Sequence, residues 1–104
     1  MNRRVRAASI HDVPEETGLE LALEGKIVAL FKVDDEFIAM DGICPHAGGP
    51  LGKGTVTNGI VTCPWHGWQF DLKTGQHCLT PQICQTRYEV EVDQEEIFVI
   101  FPGS

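Results

Sequence analysis

Apolar and polar positions alternate in short runs along this chain, and clusters of turn residues separate the runs. A period of two punctuated in this way predicts β-strands joined by tight connections. Residues 4–9 read as a first strand and 19–24 as a second; 10–18, with Pro14 and Gly18, reads as a connection holding at most one helical turn. Gly25 turns the chain into 26–33, where the unbroken apolar run Ile27-Val28-Ala29-Leu30-Phe31 predicts a buried strand. Asp34-Asp35 leads into 36–41. Further on, Thr55-Val56-Thr57 and Ile60-Val61-Thr62 flank Asn58-Gly59. Asn-Gly between β-branched residues is the strongest short-range hairpin signal. A strand at 69–71, a turn at Lys73-Thr74-Gly75, a strand at 87–93 with Tyr88, Val90 and Val92 on one face, a polar turn over 93–96 and a last strand at 97–101 complete the pattern. No segment carries a convincing helical period, so the expected class is all-β.

At 104 residues the chain is read as one domain spanning 1–104. Hydrophobic residues make up 42% and charged residues 22%, which fits a globular protein with a modest core. No apolar run approaches the roughly 18 residues that a membrane span needs. Arg3, Arg4 and Arg6 are not followed by an apolar stretch of the secretory kind, and the expected location is the cytoplasm. A net charge of −7 disfavours nucleic acid and anionic membranes as partners and suits steering toward a basic patch on another protein.

Four cysteines and four histidines are present. Cys44-Pro45-His46 is followed, after sixteen intervening residues, by Cys63-Pro64-Trp65-His66. Each half contributes one thiolate and one imidazole, and each sits among turn residues: Gly42, Gly48, Gly49 and Pro50 around the first, Gly67 after the second. Two loops that each carry a soft sulfur donor and a borderline nitrogen donor suit a site with two metal centres of unequal character. A [2Fe–2S] cluster held by two Cys on one iron and two His on the other is such a site. A structural Cys2His2 zinc site uses the same residue types. Zinc fingers, however, group their two cysteines in one knuckle and place the histidines on a helix, which the Gly and Pro residues here oppose. Cys78 and Cys84 are expected to be free thiols in a reducing compartment. His11 and His77 are grouped with no carboxylate into a catalytic constellation and are expected to be solvated.

The spacing C-x-H-x16-C-x2-H, with Pro after both cysteines and Gly after the last histidine, resembles the Rieske-type ferredoxin family. The resemblance covers most of the chain in order, and it implies a base of antiparallel sheets, sandwich or barrel, carrying a small cluster-binding subdomain at about 42–77. It implies a [2Fe–2S] cofactor with Cys44 and Cys63 on one iron and His46 and His66 on the other, and a proline loop over the cluster for which Pro81 is the matching position. The respiratory and photosynthetic members join their ligand loops by a disulfide whose positions correspond here to Gly49 and Trp65, so that bridge is absent. Those members also place a Ser where this chain has Trp68, a donor to cluster sulfur that is lost here. Losing donors to sulfur lowers the potential, toward about −150 mV at the low end of the Rieske range. Trp68 is expected to pack; Trp65 is expected at the surface.

No second metal set and no Gly-rich nucleotide fingerprint accompanies the motif, so the chain reads as a one-electron carrier rather than an enzyme. The resemblance implies a reductase, flavoprotein or similar, as donor and a terminal oxygenase of the aromatic-ring dioxygenase type as acceptor. The small subunit of an assimilatory nitrite reductase is the second reading, and a zinc-stabilised interaction module is a reading of a different class. A monomer is expected when the protein is free. Ala47, Gly48, Pro64, Trp65 and Pro81 are the expected covering or docking positions around the cluster.

Overall fold

The computed structural model describes residues 2–44, 48–65, 67–80 and 82–102. Nine strands lie among them: β1 (Arg3–Ser9), β2 (Gly18–Leu23), β3 (Lys26–Val33), β4 (Glu36–Asp41), β5 (Thr55–Thr57), β6 (Ile60–Thr62), β7 (Gln69–Asp71), β8 (Arg87–Asp93) and β9 (Glu96–Phe101). Single 3-10 turns at Ile10–Asp12 and Leu51–Lys53 are the helical elements among the described residues. Six strands form an antiparallel sheet in the order β1-β9-β8-β4-β3-β2, and β5-β6-β7 form a second, smaller antiparallel sheet. The all-β expectation holds, with strand bounds shifted by at most a residue or so.

The turns explain why the hairpins are tight. Asp34-Asp35, Asn58-Gly59 and Gln94-Glu95 all have both central residues at positive φ, as does Glu24-Gly25. This backbone twist matches that of the strands it joins, as in type I′ hairpins. Asp and Asn tolerate it because their short polar side chains hydrogen-bond locally.

β3 is the wall shared by two cores. Val28 and Leu30 face one cluster with Ala8, Val13, Ala39, Ile97, Val99 and Phe101. Ala29, Phe31 and Val33 face the other, with Ile38, Met40, Leu51, Val56, Val61, Phe70 and Leu72. Successive side chains on a strand point to opposite faces, so a strand buried on both sides reads as a continuous apolar run rather than an alternation. That is the origin of the 27–31 run. Phe31 is fully buried, and truncating it to Ala would cost about 3–5 kcal/mol. β4 and β8 pair only through Ala39–Tyr88 and Met40–Arg87, and the Tyr88 and Phe101 rings meet edge to face at 5.1 Å. The face of β8 runs out of core at its far end, where Val92 is 52% exposed although it shares the register of Tyr88 and Val90. The small sheet packs on the Phe31 side; the segment after β4 carries Cys44, and the segment after β6 carries Cys63, into that second core.

Candidate metal centre

Cys44 and Cys63 stand at the start of two loops of the same construction. In the first, the Cys44 N–H donates to the Gly49 carbonyl at 2.8 Å and the Gly48 N–H to the Cys44 carbonyl at 2.9 Å. In the second, the Cys63 N–H donates to the Trp68 carbonyl at 2.7 Å. Each cysteine thus closes a loop onto the residue five positions on. Four positions after each cysteine lies a glycine at positive φ, Gly48 at 75° and Gly67 at 72°. Nothing crowds either one, so glycine is required for its conformation and not for space.

Both cysteines are buried to 1% exposure among aliphatic and aromatic side chains, and both are free thiols. Burial pushes the Cys63 thiol above its usual value; the Trp65 backbone N–H partly offsets this by donating to its sulfur, and the neighbouring Cys44 side chain adds to the rise. Two thiols facing each other in a dry site, with a backbone donor on one sulfur, are a donor pair suited to iron or zinc, which takes them as thiolates. This arrangement fits one half of a [2Fe–2S] site. Among the described residues no set of three or more His, Cys, Asp or Glu gathers around a single point. His46, His66, Ala47 and Pro81 lie outside the described residues, as does Pro45.

The positions of the missing disulfide are adjacent in space. A Cβ built on Gly49 would lie 3.0 Å from Trp65 Cβ and 2.6 Å from Cys63 Sγ, whereas disulfide-linked Cβ atoms lie about 3.5–4.5 Å apart. Here the two loops are held by close packing of the Trp65 side chain over a bare backbone. Gly48 and Pro64 are exposed, and Trp65, expected at the surface, is 51% exposed. Trp68 packs against the core that contains both cysteines.

The sequence reading of His77 is corrected. It is buried at 7% exposure, with its ring at 4.5 Å from Trp68 and 5.3 Å from Phe70, nearly perpendicular to both. His77 begins a bridge to Phe70, and Gln76 one to Cys84, neither of which has an alternating pattern to announce it. His11 is exposed as expected, with Nε2 2.6 Å from Glu95 Oε1. Cys78 and Cys84 are exposed, outside the core that holds the other two cysteines.

Three further residues beside the site were illegible in the sequence. Gln85, 6% exposed, donates from its side-chain amide to the Asp41 carbonyl at 2.7 Å and the Ile43 carbonyl at 2.6 Å, fixing the entry to the first loop. Leu79 and Ile43 are exposed large apolar residues, at 87% and 47%, on segments next to the two loops. Isolated apolar residues between turn signals carry no period by which to find them.

With this geometry in place, comparison with known proteins assigns the class. The family model of the Rieske [2Fe-2S] domain matches residues 3–100, and the chain belongs to that family of iron–sulfur electron-transfer domains. It is 35% identical to the 3-phenylpropionate/cinnamic acid dioxygenase ferredoxin subunit of Escherichia coli K12, over 95% of this chain and 94% of that protein. It is 36% identical to human apoptosis-inducing factor 3 over 91% of this chain, but spans only 16% of that protein's length. Among solved structures, the ferredoxin of carbazole 1,9a-dioxygenase from Nocardioides aromaticivorans superposes with a TM-score of 0.84 at 27% identity, covering 92% of this chain and 95% of that one. A Mycobacterium tuberculosis protein described as a nitrite reductase small subunit superposes at 0.90, covering 100% and 99% of the two chains; at 22% identity this shows a common fold alone. Among the described residues no helix is long and apolar enough to cross a membrane.

Proposed function

We propose that this protein is the ferredoxin component of an oxygenase system, accepting one electron at a time from a reductase and delivering it to a terminal oxygenase. The reading assigns Cys44 and Cys63 to one iron and His46 and His66 to the other, within a cluster-binding subdomain of about 42–77. The observation that carries it is the pair of buried, mutually facing thiols at the heads of two identically closed loops. A bound [2Fe–2S] cluster supplies the one-electron chemistry. The chain supplies the rest: dry walls around the sulfurs, a Trp65 N–H on Cys63, and an exposed edge for contact. The similarity to a dioxygenase ferredoxin subunit over nearly the whole of both chains supports the choice of acceptor.

Gly48, Pro64 and Trp65, with Ala47 and Pro81 by sequence, form the contact face in this reading, and Leu79 and Ile43 extend it with apolar side chains. Surrounding carboxylates steer the encounter, as a net charge of −7 favours. The reading places the protein in the cytoplasm, monomeric when free. Two measurements test it. The purified protein should be brown and bleach on reduction; a colourless, zinc-containing protein defeats the proposal. His46→Cys and His66→Cys should, where a cluster assembles, shift the visible and paramagnetic spectra toward the all-thiolate type and lower the potential. Spectra unchanged in both variants overturn the ligand assignment.

A further inference from the structure

His77 is the buried polar side chain with a nitrogen left without a hydrogen-bond partner among the described residues. Its other nitrogen is doubly engaged: Nδ1 lies 3.1 Å from the backbone N of Leu79 and 3.1 Å from that of Thr80. Both of those groups are donors, so Nδ1 must be the acceptor and the ring proton sits on Nε2. That N–H is closed off from water, and the Trp68 and Phe70 rings pack nearly perpendicular to the imidazole.

The ring is the hub of a loop. Residues 77–83 are closed at the base by the His77 N–H to the Ile83 carbonyl at 2.8 Å, and internally by the Ile83 N–H to the Thr80 carbonyl at 2.9 Å. The His77 side chain takes up the N–H groups of Leu79 and Thr80 within this loop. On its other side it abuts Trp68, whose carbonyl closes the second cysteine loop on the Cys63 N–H. One side chain therefore joins the segment that leads into Pro81 to the closing residue of the Cys63 loop. Cys78 reinforces the seam, its N–H donating to the Gln69 carbonyl at 2.9 Å.

We propose that His77, held as the neutral Nε2–H tautomer, is a positioning residue that ties the 77–83 loop to Trp68 and so sets the environment of the cluster. The inference rests on the reading above that Cys44 and Cys63 hold the cluster. A phenyl ring fills the same space but cannot accept, so His77→Phe frees the Leu79 and Thr80 amides. Asparagine keeps an acceptor oxygen near the Nδ1 position, so His77→Asn restores them.

The experiment combines amide hydrogen exchange, nitrogen-15 spectra of the imidazoles and redox titration on the full chain as purified. The expected result is an Nε2–H tautomer for His77, and exchange at Leu79 and Thr80 roughly tenfold or more faster in His77→Phe. Leu30 and Val99 serve as unchanged controls, and His77→Asn returns the two amides close to wild type. In the brown protein the midpoint potential of His77→Phe moves positive as water gains access to the cluster edge, with His77→Asn in between. An Nδ1–H tautomer in the wild type overturns the proposal without any variant. Equal exchange in wild type and His77→Phe, a uniform rise at all amides, or an unmoved potential in brown protein overturns it as well. A colourless wild type refutes the cluster reading instead and, with it, the claimed effect on the cluster, while exchange and tautomer still decide whether the tie exists.

Discussion

Gln85 is the residue whose replacement tests most sharply how the site is held. Its amide donates twice, to Asp41 and Ile43 carbonyls on either side of Gly42, just ahead of Cys44. Gln85→Leu keeps the approximate volume and removes both donors. Each lost bond is worth about 1 kcal/mol net, and about 2 kcal/mol where a part-buried carbonyl is left short of a partner, so the variant should lose roughly 2–4 kcal/mol. At roughly 4–8 °C per kcal/mol for a domain of this size, the melting temperature should fall by about 8–32 °C. Gln85→Glu should be worse at neutral pH, because an ionised carboxylate donates nothing and faces two carbonyl dipoles. Burial raises that carboxyl in the folded state, so its destabilisation is present above the unfolded value and is relieved as pH falls and the proton returns a donor. Denaturant titrations at two pH values, followed by far-UV circular dichroism, measure both variants, and visible absorbance reports the cofactor. A Gln85→Leu protein within about 0.5 kcal/mol of wild type would refute the reasoning, since surface substitutions alone stay in that range.

Four further outcomes follow from the same geometry. In the metal-free chain the Cys63, Cys78 and Tyr88 groups are all raised, burial being the largest cause in each; folding disfavours their anions, so the denaturation midpoint should decline from about pH 8 to 10, and a flat profile would contradict this. Trp65→Ala and Leu79→Ser should each slow transfer to a subsaturating oxygenase by roughly tenfold with spectrum and potential almost unchanged, and a large shift in potential would make either a tuning residue instead. Removal of Glu95, which lies in the β8–β9 turn and pairs with His11, should change the salt dependence of transfer and little else. The midpoint potential should be nearly flat from about pH 6 to 8, and a slope of one proton per electron would mean that a ligand titrates there.

Much of the fold was written locally. Period-two alternation located the strands, and Asn58-Gly59 and Asp34-Asp35 specified hairpins because their φ preferences belong to the residues themselves. The pairing of Cys44 and Cys63 was legible for the same reason, from residue type, spacing and the glycines four positions after each cysteine; the proposed set adds His46 and His66 on the motif alone. What the tertiary structure decided is everything that depends on which faces meet. Only packing makes β3 a wall between two cores, brings Gly49 beneath Trp65, and turns an ordinary glutamine at 85 into the clamp on the first loop. His77 shows the limit most plainly. Nothing in its neighbours along the chain distinguishes a solvated histidine from a buried one, because its burial comes from Trp68 and Phe70 and its hydrogen bonds from a loop that closes only when the chain is folded.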